Sequence, residues 1–352
     1  MTNAGAPGWS YYNWDQTTGT GNRASCQRCH TSTGIANYLT DPTTYNPTNN
    51  DFSHLSGWTA ATGSPQNEML YCWGCHSDNK GSLRNPGAIT ADYTSQDVTY
   101  PDLADSNVCM ACHTGRESGG TIAAKAADPA TDWSNLSFIN SHYLTAGGTV
   151  FSASGYHYAN LVYATPSNLH GGIGTAGSIG TAVGDNGPCV KCHMSTTGAG
   201  QSHSFAVVTR DAGEVITAIN PSFCNACHTG ALALVAADLN TLRSGFEAAN
   251  AALKAQLAAK AFPFQASFAA KNWGNATTGP NNMGAAFNYN LLAHDPGAYA
   301  HNRRYAGRLI WDSIDWLDDN TLNNSTVAAI NALGLDPVVR AAALAWIGLA
   351  RP

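Results

Sequence analysis

Over the first two thirds of the chain no hydrophobic period holds for long. Apolar positions come singly or in pairs, separated by turn-forming runs such as DPTTYNPTNND and LRNPGAITADY, and no sustained strand alternation develops. Past residue 230 the pattern changes. Leu232, Val235, Leu239, Leu242, Phe246, Leu253 and Leu257 recur at helical spacings and mark one face of a long helix, which Pro263 ends. A second helix is expected from Asp295-Pro296, with Asp as N-cap and Pro at the first helical position, running through GAYAHNRRYAGRLIWDSIDWL. A third is expected in PVVRAAALAWIGLA. The pattern therefore predicts a loop-rich region over 1–230 and a helical region over 231–352, with little β structure.

Composition sharpens this picture. Charged residues make up 11% of the 352 positions, against roughly 25% in ordinary soluble proteins. Gly is abundant at 35 residues. Loops of this kind need something other than regular secondary structure to hold them. A net charge of −6 argues against nucleic acid as a partner. No apolar run approaches the length of a membrane span. The start, MTNAGAPGW, lacks the basic and apolar regions of a signal peptide, so the chain is either cytoplasmic or numbered without its export signal.

The cysteines decide between these. All ten fall in five copies of one pattern, CQRCH (26–30), CWGCH (72–76), CMACH (109–113), CVKCH (189–193) and CNACH (224–228). C-x-x-C-H is the attachment signature of c-type haem. Two thiols at this spacing each form a thioether to one edge of the porphyrin, and the following imidazole reaches the iron from below. Zinc sites would consume such motifs in pairs and leave one of five unmatched, and a redox dithiol has no need of the histidine. The reading is five covalently bound haem c, held by Cys26, Cys29, Cys72, Cys75, Cys109, Cys112, Cys189, Cys192, Cys224 and Cys227. His30, His76, His113, His193 and His228 are the proximal ligands. Haem attachment takes place outside the cytoplasm, so the protein is exported. The macrocycles then supply much of the core, which predicts a haem-templated fold of loops and short helices over 1–230, with 231–352 packing back on the haems.

Seven histidines remain for the opposite face of five irons: His54, His142, His157, His170, His203, His294 and His301. Of the five methionines, Met110 lies inside a motif and Met194 directly follows a proximal histidine, so mostly bis-His ligation is expected, at lower potential than His/Met ligation. With enough imidazoles to close every iron, and His ending all five motifs, electron transfer is favoured over catalysis at an open iron. His301 stands one helical turn before Tyr305 and two before Leu309, on the apolar side of the second expected helix. His294 falls in a turn just before its N-cap. The pair could serve one haem, or His294 could reach a neighbouring chain. Asp92, Asp97, Asp102 and Asp105 lack an EF-hand pattern and read as a solvated loop rather than a Ca²⁺ site.

Several stretches go beyond the haem signature. LYCWGCHSDNKGSLRNPGAIT, DSNVCMACHTGRESG, INSHYLTAGG, GPCVKCHM with HSF following, and NNMGAAFNYNLLAHDPGAYAHNRRY together resemble exported multihaem cytochromes of metal-reducing bacteria, from about Cys26 to Asp319. Several members of that group polymerise into extracellular filaments whose haems stack in a continuous chain, some taking a distal histidine from the next protomer. The resemblance implies that His54, His142, His170, His203 and one or both of His294 and His301 are distal ligands, with His157, in GYHY, ranked last. Low surface charge and a head-to-tail contact that does not close are compatible with such a fibre. The expected partners are further copies of this chain and redox partners or extracellular electron acceptors. A discrete periplasmic or cell-surface carrier is the alternative, and a multihaem reductase with an open iron ranks below it.

Overall fold

The computed structural model describes residues 24–55, 68, 70–94, 97–142, 144–166, 168–174, 187–194, 203–220, 224–262 and 269–352. Two compact units interleave along the chain. The first is Met1–Thr90 with Thr99–Cys112 and Asp185–Gly187; the second is Ala91–Val98 with His113–Gly184 and Pro188–Pro352. About half of the structure is helix and about 6% is strand, as the loop-rich, low-β reading requires.

In the first unit the helix Ser32–Thr40 is capped by Thr31, whose hydroxyl accepts the Gly34 N–H at 2.9 Å. It buries Ile35, Tyr38 and Leu39. The buried carboxylate of Glu68 receives the N–H and hydroxyl of Thr33 at 2.7 and 2.9 Å.

The second unit holds the larger apolar core. The long helix runs Ala236–Ala259 and turns Leu239, Phe246, Leu253 and Leu257 inward. Leu232 and Val235 lie outside it, 72% and 56% exposed, although their spacing fits the stripe. The helix begins after them because Asp238 reaches back to accept the Val235 N–H at 3.1 Å. It also ends ahead of Pro263, which lies outside the described residues. Ala261 turns left-handed (φ 56°) and the Phe262 N–H bonds back to Leu257 O at 3.0 Å.

The second expected helix is two. A short one, Ala298–His301, is followed by Arg303–Asp319. Asn302 makes the break. Its side-chain oxygen accepts the Tyr305 N–H at 3.1 Å, while its amide donates to Ser152 and Thr165 at 3.0 and 2.7 Å. Asn is well suited to this because its short amide competes with the helical ladder. The third helix, Pro337–Ile347, follows Asp336, which accepts the N–H groups of Val338 and Val339.

The helices Gly279–Ala293 and Thr326–Ala332 had no apolar signal strong enough to announce them. The first buries Asn282, Asn288 and Asn290 among its apolar residues. Asn288 accepts the Tyr156 N–H at 2.7 Å and donates to Tyr156 O and the Ser313 hydroxyl, both at 3.1 Å. Strands form two-stranded antiparallel ribbons such as Val208–Arg210 with Ile216–Ile219.

Gly284 shows how closely this core is packed. A Cβ there would fall 2.1 Å from Tyr156 Cδ1, on a ring whose hydroxyl is held by Asn281 at 2.7 Å. Gly284→Ala is expected to destabilise the protein by about 1–3 kcal/mol, as measured by denaturant unfolding.

Candidate haem-binding site

Each C-x-x-C-H motif forms a single helical turn or ends one: Ala24–His30, Cys72–Cys75, Asn107–His113, Gly187–His193 and Cys224–Cys227. A turn places residues i and i+3 on one face, so the paired thiols point the same way. The following histidine closes the turn. His76 N–H bonds to Cys72 O and His228 N–H to Cys224 O, both at 2.9 Å. This is the local geometry that two thioethers and a proximal imidazole require.

Thiols of different motifs are also brought together. In the first unit Cys29 and Cys112 are hydrogen-bonding neighbours, and that bond, aided by Arg28 and opposed by burial, brings the Cys29 thiol down to about 7. In the second unit burial pushes Cys192 up to about 12, with Cys224 of the fifth motif and Cys189 of its own adding to the effect.

The histidines give the sharpest observation. The rings of His193 and His301 lie with centroids 6.2 Å apart, and those of His228 and His170 lie 6.1 Å apart. Two imidazoles trans on one iron, each at a bond length of about 2 Å, have centroids roughly 6 Å apart. In both pairs a motif histidine meets a non-motif histidine.

The outer nitrogens are committed to acceptors. His193 Nδ1–H donates to Phe205 O at 3.0 Å, His170 Nδ1–H to Ala300 O at 2.7 Å, and His76 Nδ1–H to Gly81 O at 2.9 Å. His301 Nδ1–H donates to Asp295 Oδ1 at 2.8 Å. Carbonyls and carboxylates only accept, so each proton sits on Nδ1, and in His193, His170 and His301 Nε2 is left for a metal. Burial works against a charge on Asp295, but His301, the Thr149 hydroxyl and the Gly297 amide hold its carboxyl below the ordinary range. These residues fit haem. Among the described residues no three His, Cys, Asp or Glu side chains gather as a metal cage.

The remaining candidates stand differently. His294 caps the C-terminus of Gly279–Ala293 and lies within electrostatic reach of His142. His142 adopts a left-handed backbone (φ 63°), its N–H held by the Asn140 side chain at 2.9 Å. Burial, with His193 and His301 nearby, lowers His113 to about 4. His54 gives Nε2–H to Glu68 at 2.8 Å, which leaves Nδ1 as its free nitrogen for a metal. His203 is exposed beside Phe205. The expectation missed the partners of the outer nitrogens, Asp295 above all, because no sequence spacing marks a carbonyl or carboxylate as the acceptor of a particular imidazole.

His157 has a packing role instead. Its ring stacks on Tyr163 at 4.2 Å, and its Nε2 accepts from the Tyr305 hydroxyl at 2.9 Å, which in turn receives the Gly155 N–H. His157→Ala is expected to cost about 1–2 kcal/mol in thermal unfolding while leaving the low-spin haem spectrum unchanged.

A chain whose thiols and imidazoles meet in this way is built as a polyhaem c-type cytochrome, and comparison with known proteins agrees. Residues 1–84 match the family C-type polyheme cytochrome domain 2. The chain is homologous to two such cytochromes of Geobacter sulfurreducens. It is 46% identical to the C-type polyheme cytochrome OmcB over 98% of this chain and 50% of OmcB, and 46% identical to OmcC over 100% of this chain and 50% of OmcC. The chain thus spans about half the length of the curated relatives it matches. No solved structure matches it.

Proposed function

We propose that this chain carries five haem c, passes electrons from one to the next outside the cytoplasm, and is the repeating subunit of a conductive extracellular filament. The observation that carries the relay is the pair of trans-spaced imidazole couples, His193 with His301 and His228 with His170. When bound, haem supplies the one-electron change between ferric and ferrous iron. The chain's own residues do the rest. The thiols would anchor each group, the motif histidines would serve as its ligands, and His301 and His170 would ligate two of the irons from their other sides. His54, His142, His203 and His294 are the reserve from which the remaining three irons draw. With both axial positions held, no iron is left open for a substrate, and the chain is not an enzyme. The proximity of Cys29 to Cys112, and of Cys192 to Cys224, supports neighbouring haems whose attachment edges adjoin.

Residues 1–230 carry the haems and 231–352 are the helical part that supports them. Among the described residues no helix is long and apolar enough to cross a membrane. The filament reading is supported by the sequence resemblance and the low charge density. The expected partners are further copies of the chain, one of which could accept His294, and redox partners or extracellular acceptors.

Haem quantitation of the purified protein should return five per chain. The reduced protein should not bind carbon monoxide or cyanide promptly, and prompt binding would reveal an open iron. Electron microscopy of the native extracellular fraction should show filaments with a helical repeat. Discrete particles alone would confine the relay to one chain and reject polymerisation.

A further inference from the structure

Among the described residues, His76, His170, His193 and His301 have their Nδ1–H held by an acceptor, and they are not held alike. His76, His170 and His193 donate to backbone carbonyls, which are neutral. His301 donates to the carboxylate of Asp295, itself only 2% exposed. Gly297 lies directly against the His301 ring, where an added Cβ would fall 2.7 Å from Cε1, so glycine leaves the room the ring needs to sit in this position.

We propose that Asp295 tunes the haem anchored at Cys189 and Cys192, lowering its reduction potential below that of the haem anchored at Cys224 and Cys227. The proposal rests on His301 and His170 being the distal ligands of these two irons. An anionic acceptor draws the Nδ1 proton and makes the imidazole a stronger donor at Nε2. A stronger donor stabilises ferric over ferrous iron. The buried negative charge acts in the same direction, because the ferric centre carries one more positive charge and little water intervenes. Ala300 O, behind His170, offers a dipole without a full charge. Asp295 is a positioning and tuning residue that acts through His301.

The test is spectroelectrochemical titration of the holo protein and of Asp295→Asn, which keeps an oxygen for His301 but loses the charge. One of the five couples is expected to move up, changing its oxidised-to-reduced ratio at fixed potential by about tenfold, or about 59 mV for one electron. The low-spin ferric resonance of the same haem should shift while the other four stay in place. Superimposable titrations overturn the proposal. His301→Ala separates the two ideas. If all five haems stay low-spin in that variant, the ligand assignment has failed. If one becomes high-spin while Asp295→Asn changes no potential, the tuning alone has failed. Should Asp295→Asn not assemble, infrared difference spectra of the native protein labelled with ¹³C at aspartate carboxylates decide. A carboxylate band must follow one haem couple, and its absence rejects the idea.

Discussion

With the five bis-His haems proposed above, His301→Ala should convert one low-spin iron into a high-spin, five-coordinate one that binds carbon monoxide when reduced. About one fifth of the low-spin ferric signal should be lost, and the affected couple should rise in potential because a strong axial donor has gone. The expectation follows from the 6.2 Å ring separation between His301 and His193 and from the outer nitrogens of both rings being bound elsewhere. His170→Ala should give the same result at the haem of His228, and the double variant should lose two fifths. Electron paramagnetic resonance with carbon monoxide titration reads all three. A full low-spin complement in His301→Ala would remove the ligand assignment.

Arg351→Met produces the largest expected loss of stability away from the haems. Its guanidinium holds Asp312 with two bonds, Nε to Oδ1 at 2.7 Å and a terminal nitrogen to Oδ2 at 2.8 Å. Tyr163 donates to the same carboxylate, and the guanidinium lies 5.0 Å from the Tyr163 ring centre. Asp312 is 1% exposed. Burial pushes its carboxyl up, while Arg351 and the Tyr163 hydroxyl pull it back. Removing the arginine strands a buried charge, at a cost of about 3–5 kcal/mol and a fall in Tm on the order of 10 °C. Adding Asp312→Asn should restore most of the loss, since an amide needs no counter-ion and can still accept from Tyr163. Thermal unfolding of the holo variants reads the outcome. Equal stability of the single and double variants would show that the charge is not the cause.

The haem chemistry was legible because it is local. Five residues of C-x-x-C-H span one helical turn, so the spacing alone sets two thiols and an imidazole together, and the five motif turns in the structure differ little from what the spacing implies. Pro337–Ile347 was legible for the same reason, with cap, proline and apolar period all lying within a dozen residues. Gly279–Ala293 was not, because Asn282, Asn288 and Asn290 are buried among its apolar residues and interrupt the period, and their partners lie elsewhere in the chain. The same holds at Asn302, where contacts with Ser152 and Thr165 support a break that apolar spacing had carried straight through.

By itself, then, the sequence determined the cofactor class, the number of attachment motifs, the motif histidines and the pool of seven further histidines from which the proposed distal ligands come. These depend on spacing of a few residues or on counting. The tertiary structure decided that His301 lies against His193 and His170 against His228, that His157 stacks on Tyr163, and that Asp295 stands behind His301. The two histidine pairs join positions 58 and 108 residues apart, and no local period encodes them. They are settled by loop closure and by the burial of polar groups that must find partners where the chain happens to bring them.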